Sequence, residues 1–269
     1  MKIATFKPLL AATGLALGLG LTSSAFAVVL PQFQVDPTFN NNCSDCFYAT
    51  AINGGSSERL LVDTTAQTLT ANFGYMAFSG FTNDGPLGSI GNVLGSGINN
   101  TYQLYITYSL VAQYTGGGTF AGLGSNYSLT SLAFSVYRDD NLNTTFNPAT
   151  LGADASITGN GNDVLLGSGS LVNGVAGIDA AGGAFLNSTT TYLNTAAGNA
   201  FFVWPVPFYT MAFNAFNNTS QGVNIGTDAI AISAAGTVDF KTVPEPASLA
   251  LLGIGLMGMG VSLRKRKAA

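Results

Sequence analysis

Two cysteines, three positions apart, are the side chains best suited to covalent or metal chemistry. Cys43 and Cys46 stand in the segment Cys-Ser-Asp-Cys. A zinc site needs four ligands, and the chain has no histidine and no further cysteine, so only carboxylates such as Asp45 could complete it. A thioredoxin-like redox pair needs a βαβ setting, which the neighbouring residues do not encode. We therefore predict a structural disulfide that closes a small loop.

Acid–base catalysis is restricted by composition. Without histidine, a Ser-His-Asp or Cys-His arrangement is impossible, and the commonest general base near neutral pH is missing. Hydrolysis by two carboxylates, as in glycosidases, stays open because residues 28–242 hold eleven Asp and one Glu. No spacing singles out a pair, and Asp is also a favoured turn residue, as in Asn83-Asp84-Gly85. We expect a protein that is not an enzyme and that carries no cofactor.

One segment has oxygen ligands in a calcium-like pattern. Asp139, Asn141 and Asn143 place side-chain oxygens at alternate positions, as an EF-hand loop does at its start. The glycine expected at the sixth position is Thr144, and the acid expected at the twelfth is Thr150. A polar turn is the expected structure, and a loop calcium is the alternative.

The most aromatic part of the chain spans residues 201–216. The prolines at 205 and 207 cannot lie inside a central strand, so they indicate an edge or a bend. Exposed rings in this segment could stack on sugars, whereas buried rings would fill the core, which is the commoner role of aromatic residues. The candidates for sugar stacking are Trp204, Phe208 and Tyr209.

The middle of the chain alternates apolar and polar residues. In residues 101–114 the even positions are mostly aliphatic or Tyr and the odd ones mostly Thr, Gln and Ser, which predicts a long, half-buried strand. Similar segments are separated by Gly-rich turns, and no interleaved helix is indicated. We predict one all-β domain over residues 28–242, an antiparallel β-sandwich with a jelly-roll-like order of strands.

The amino-terminal 27 residues are typical of a secretory signal peptide. Lys2 and Lys7 precede an apolar stretch over residues 9–21. Small residues at Ala25 and Ala27 then form an A-x-A cleavage site, so Val28 is the predicted first residue of the mature chain.

The charge of residues 28–242 disfavours nucleic acid as a partner. Three cations, Arg59, Arg138 and Lys241, stand against twelve acids, a formal net charge of −9. Such a surface repels phosphate backbones. The abundance of Gly, Asn, Ser and Thr instead indicates neutral hydroxyl and amide surfaces.

The last 27 residues, 243–269, combine three features in a fixed order. A Pro-Glu-Pro tripeptide keeps the chain extended and exposed. The apolar run over residues 247–263 would form roughly 26 Å of helix, close to the ~30 Å of a bilayer core, so it can span the core with little length to spare. Four cations would hold the carboxyl end on the cytoplasmic side. The residues concerned are Pro244, Glu245 and Pro246 in the tripeptide, and Arg264, Lys265, Arg266 and Lys267 in the basic tail.

Hydropathy alone would favour an ordinary carboxyl-terminal anchor, but the order of the three features resembles the PEP-CTERM sorting signal of exported bacterial proteins. The resemblance implies recognition by a membrane-embedded exosortase, with cleavage near the tripeptide. The helix would then hold the protein in the inner membrane only transiently, before it reaches the cell surface or the extracellular matrix.

Four short segments of the body also resemble the flocculation-associated subgroup of PEP-CTERM proteins: residues 33–37, 136–146, 163–169 and 205–209. The resemblance implies a role in cell aggregation, with exopolysaccharide as partner and no catalytic residues. We therefore expect an exported, non-enzymatic matrix protein that promotes flocculation or biofilm formation. The alternatives are a discrete carbohydrate-binding module built on Trp204 and a carbohydrate-active enzyme that uses two aspartates.

Overall fold

The computed structural model describes residues 31–39, 43–84, 90–217 and 223–241. The predicted signal peptide, with Ala25, Ala27 and Val28, lies outside these ranges, and so does the predicted sorting segment over residues 243–269. Within the described ranges, no helix combines the length and apolar character needed to cross a membrane.

The described residues form sixteen strands and one short helix. In chain order the elements are β1 (Phe33–Val35), β2 (Phe47–Ala49), β3 (Ala51–Asp63), β4 (Thr68–Asp84), β5 (Ile90–Asn92), β6 (Gln103–Gly117), β7 (Ser125–Asp139), β8 (Thr145–Asn147), β9 (Ser156–Thr158), β10 (Val164–Ile178), β11 (Ala184–Thr191), β12 (Leu193–Asn194), α1 (Ala196–Phe201), β13 (Phe202–Trp204), β14 (Met211–Asn217), β15 (Val223–Ile225) and β16 (Ala229–Lys241).

Eight of these strands pair into one closed antiparallel sheet. The neighbours run in the order β3, β4, β6, β7, β10, β11, β14 and β16, and β16 pairs back onto β3. The all-β, antiparallel prediction is confirmed, and opposite sides of the sheet pack across one apolar core as the two sheets of a sandwich do. The strand order is a meander instead of the predicted jelly-roll-like order, because each long strand pairs with the next long strand along the chain.

The period-two prediction for residues 101–114 is confirmed by β6. Leu104, Ile106, Tyr108 and Leu110 are buried in the core, whereas the hydroxyl side chains between them lie on the outer face. β7 alternates in the same way up to Val136, with one interruption at Thr130 and Ser131, which are both exposed. One long strand therefore contributes both to the core and to a polar outer surface.

A small three-stranded sheet and α1 cover one end of the closed sheet. This end layer consists of β13, β1 and β2 in that order, together with α1. Phe33 of β1 lies at the centre of an aromatic cluster, with ring centroids 5.2 Å from Phe240 and 5.9 Å from Phe202. Thr195 caps α1 by accepting a hydrogen bond from the Gly198 N–H at 3.0 Å. Phe201, Phe202 and Phe208 thus fill the core at this end.

Candidate functional site

The two cysteines are joined in the structure. Cys43 and Cys46 form a disulfide that closes a loop directly before β2. Asp45 lies within this loop, and its carboxylate accepts a hydrogen bond from the Ser44 hydroxyl at 3.3 Å. Among the described residues, no group of three or more Cys, Asp or Glu side chains is arranged to hold a metal ion.

The three predicted sugar-stacking rings do not form one exposed row. Trp204 is 45% exposed, but Phe208 is only 9% exposed and packs between Phe202 and Phe240, with ring centroids 5.0 Å from each. Including Phe208 was therefore wrong, because its ring completes the apolar end of the core. Tyr209 is half-buried, and its hydroxyl donates a hydrogen bond to the Gln32 carbonyl at 2.8 Å.

Trp204 instead has an aromatic partner that sequence reasoning missed. In the end layer, Gln34 of β1 is in register with Trp204 on one side and with Tyr48 on the other. Tyr48 is 46% exposed, and its ring centroid lies 6.1 Å from that of Trp204 in an edge-to-face arrangement. We call Trp204, Gln34 and Tyr48 the end platform. Nothing in the sequence around Tyr48, two residues after Cys46, indicated that its ring would contact Trp204.

The segment predicted as a calcium candidate is a turn in which backbone N–H groups bond the Asp139 carboxylate. Asp139 is fully buried, and its carboxylate accepts hydrogen bonds from the backbone N–H groups of Asn141, Asn143 and Thr144 at 2.7 to 2.8 Å. Burial disfavours the charged form, yet these bonds outweigh it and hold the pKa of Asp139 below its usual value. The Asp139 oxygens face backbone donors, which is the arrangement expected of a polar turn, and the loop calcium stays a prediction.

A hollow feature of the outer face lies where β4, β6, β7 and β10 meet the β8–β9 hairpin. It consists of two adjoining hollows of about 530 Å³ and about 490 Å³, which share Phe73 and Thr107. We call this feature the outer groove. Its side chains are aromatic, hydroxyl, amide, small or, at Ile157, aliphatic: Asn72, Phe73, Thr107, Ser109, Ala133, Ser135, Tyr137, Ala155, Ser156, Ile157, Asn160 and Ser168.

The hairpin that walls the outer groove is held by ring contacts. Phe146 of β8 lies with its ring centroid 5.1 Å from Tyr75 and 5.4 Å from Tyr105. Tyr105 in turn stacks on Tyr137 at 5.4 Å and donates a hydrogen bond to the Asp163 carboxylate at 2.6 Å. The wall and the floor of the groove are therefore packed together and do not depend on a ligand for their positions.

The floor of the outer groove carries a row of hydroxyl groups across three strands. Thr107 of β6 is in register with Ser135 of β7, which is in register with Ser168 of β10. The strands are separated by about 4.8 Å, so the row presents one hydroxyl per strand spacing. The polar odd positions of the period-two pattern were the sequence signal for this face, although they did not identify the groove.

The single glutamate of the described chain lies inside the closed sheet. Glu58 borders two internal cavities of about 40 Å³ and about 20 Å³, whose other lining residues are mostly aliphatic or aromatic. Cavities of this size hold at most a few water molecules and not a sugar ring. Burial raises the pKa of Glu58 to about 7, although hydrogen bonds from Tyr108 and Ser56 lower it. Its position is that of a core group.

Comparison with known proteins identifies the carboxyl-terminal segment. Residues 242–267 match the family model described as the PEP-CTERM protein-sorting motif. No curated protein and no solved structure gives a significant match to the chain. The motif is the signal for processing by an exosortase and for export through the membrane to the cell surface. The chain is therefore an exported, exosortase-sorted protein of the PEP-CTERM domain-containing class.

Proposed function

We propose that the protein is a non-enzymatic component of the extracellular matrix that promotes flocculation or biofilm formation by contact with exopolysaccharide. The observation that carries the proposal is the combination of the sorting motif at residues 242–267 with a rigid outer face of neutral hydroxyl groups and aromatic rings. The motif delivers the domain to the compartment in which cell-surface polysaccharide is found. The outer face has the chemistry that polysaccharide can contact.

The proposed mechanism is multivalent. A polysaccharide chain repeats the same unit many times, so one chain contacts several copies of the protein and several chains contact one copy. Individually weak contacts then hold the assembly together because the second contact is effectively intramolecular. The outer groove and the end platform lie at different places on the domain and are the two surfaces best suited to such contacts.

The arrangement of the acids supports a role without catalysis. Glu58 is enclosed by core residues and accepts a hydrogen bond from Tyr108. The carboxylates of Asp139 and Asp179 accept bonds from turn backbone, at 2.7 to 2.8 Å and at 2.8 Å respectively. A pair of aspartates for glycoside hydrolysis would have to flank a cleft, and no Asp or Glu in the described part of the chain lines the outer groove.

The test is made in the native host with three strains. One lacks the gene, one carries the wild-type gene, and one carries the variant in which Pro244, Glu245 and Pro246 are all replaced by alanine. We expect the deletion strain to stay dispersed, the wild type to form flocs, and the variant to remain in the membrane with its full tail and to form few flocs. Intact mass, cell fractionation and sedimentation are the readouts. Normal flocs in the deletion strain would contradict the proposal.

A second candidate function is a discrete carbohydrate-binding module that uses the end platform. The observation that favours it is the exposed pair of Trp204 and Tyr48 on either side of the Gln34 amide. Trp204 is the only tryptophan of the chain, so its fluorescence reports on this one place. Saturable quenching by an oligosaccharide, lost in Tyr48→Ala, would favour the module. An unchanged signal in a protein that still supports flocs would favour the multivalent matrix role.

A further inference from the structure

We propose that the outer groove is the polysaccharide contact of this protein and that it selects neutral polysaccharides over acidic ones. The inference rests on the proposed function and makes it more specific, because it names the surface and the chemical class of the ligand. Three observations support it: the bulge in β4, the row of hydroxyl groups on the floor of the groove, and the distribution of charge around the groove.

A bulge in β4 places an aromatic ring at the junction of the two hollows. The register of β4 against β6 shifts between Ala71 and Gly74, so that Asn72 and Phe73 together face one residue of the partner strand. Asn72 is exposed and Phe73 is half-buried on the outer face. Phe73 lines both hollows and has no ring contact among the described aromatic residues. Its face is therefore available for the C–H groups of a sugar ring.

The hydroxyl groups on the floor have no hydrogen-bond partners among the described residues. Within the described ranges, the side chains of Thr107, Ser135 and Ser168 make no hydrogen bond to another protein group, and the same holds for Ser109 and Asn160. A buried hydroxyl of this protein behaves differently, since Ser57 donates to the Ile232 carbonyl at 3.3 Å. Hydroxyl and amide groups that are held in place and bonded only to water can exchange that water for sugar hydroxyls.

The charges around the groove favour a neutral ligand. Among the residues that the structure describes, no cationic side chain lines either hollow. The guanidinium of Arg59 bonds Asp154 at 3.1 Å, and that of Arg138 bonds Asp140 at 2.7 Å. Asp154 also immediately precedes the wall residue Ala155. An acidic polysaccharide would meet a negatively charged domain without a cation to pair its carboxylates, and like charges repel.

The test uses the mature protein released by the native host and measures its retardation in native gels that contain one polysaccharide each. The probes are hydroxyethylcellulose and dextran as neutral chains and alginate as an acidic chain. We expect retardation by at least one neutral polysaccharide and none by alginate. Phe73→Ala and Thr107→Val should each weaken the apparent affinity about five- to tenfold, whereas Phe73→Tyr should retain it.

The matched control is Leu94→Ala, which shortens an exposed apolar side chain that lines neither hollow and should leave the apparent affinity unchanged. Thermal unfolding of each variant shows whether the fold is kept, and Thr107→Val preserves the side-chain shape. Binding to alginate as tight as to the neutral chains, or no binding to any of the three, overturns the inference. So does full affinity in both groove variants. If the deletion strain nevertheless fails to form flocs, the proposed function stands and only the assignment of the groove is lost.

Discussion

The phenol of Tyr108 donates a hydrogen bond to the carboxylate of Glu58 inside the closed sheet. Glu58 lies on β3 and Tyr108 lies on β6, with β4 between the two strands. A Cβ at Gly74 of β4 would lie 2.5 Å from the Tyr108 ring. The glycine therefore leaves the space through which the phenol reaches the carboxylate. Because Glu58 lies among aliphatic residues and its pKa is raised to about 7, the pair links folding to pH.

We expect the free energy of unfolding to fall as the pH rises from about 5 to about 8. The folded state holds the Glu58 proton up to about pH 7, whereas the unfolded chain releases it near 4.5, so the folded state binds more protons in this window. The shift in the pKa of Glu58 limits this loss in the free energy of unfolding to roughly 3 kcal/mol. Asp239, whose pKa burial raises to about 6, acts in the same direction. Urea unfolding at pH 5 and pH 8 measures the difference.

The matched variants are Glu58→Gln and Asp239→Asn. Glu58→Gln replaces the carboxyl by a neutral group of the same shape that still accepts the Tyr108 hydrogen bond, so most of the pH dependence should disappear. Asp239→Asn should remove only the smaller part of the pH dependence. An equally steep pH dependence in Glu58→Gln would show that Glu58 is not the linked group.

Removal of the Tyr108 hydroxyl group should destabilise the fold more at high pH than at low pH. Tyr108→Phe keeps the ring and deletes the donor, which leaves a buried carboxylate with one bond fewer at a cost of about 1–3 kcal/mol. At pH 5 the Glu58 carboxyl group is protonated and neutral, so loss of the Tyr108 donor should lower the free energy of unfolding by less. The measurement is again urea unfolding at the two pH values. An equal cost at both would mean that the bond does not favour the charged form.

Two neighbouring glycines of β3 should respond in opposite ways to the same substitution. A Cβ at Gly54 would lie 2.3 Å from the Ala77 carbonyl oxygen and 2.9 Å from the Phe78 Cα, both in the backbone of β4. A Cβ at Gly55 would meet no atom nearer than 4.0 Å. We expect Gly54→Ala to cost about 1–3 kcal/mol, since the two strands must separate, and Gly55→Ala to be neutral or slightly stabilising. Thermal unfolding compares the two, and equal effects would contradict the close approach of the strands.

Periodicity in the sequence was enough to predict the fold class. The alternation over residues 101–114 is enforced by the pleat, since one face of β6 packs on the core and the other meets water. The carboxyl-terminal motif could likewise be recognised from the order of three local features. Both inferences depend on neighbours in the chain, which the sequence displays directly.

Features that depend on distant contacts could not be predicted. Phe208 and Trp204 stand four positions apart in one aromatic segment, yet only the three-dimensional packing around Phe33 determines that the first is buried and the second exposed. The closing pair of β16 with β3 joins residues almost 180 positions apart, which no local pattern signals. The outer groove arises from a β4 bulge and a distant hairpin, so its members gave no joint signal.

Arg138 should hold the end layer onto the closed sheet. Its guanidinium lies 5.4 Å from the ring centroid of Phe201 in α1 and 4.1 Å from that of Phe39, which follows β1, and it is bonded to Asp140. We expect Arg138→Lys to cost about 1–2 kcal/mol and to speed amide exchange in β1, because lysine lacks the planar group that stacks on rings. The control Arg59→Lys alters a partly exposed pair and should cost less than about 1 kcal/mol. Unchanged exchange in β1 would mean that the aromatic cluster around Phe33 fixes the end layer without the cation.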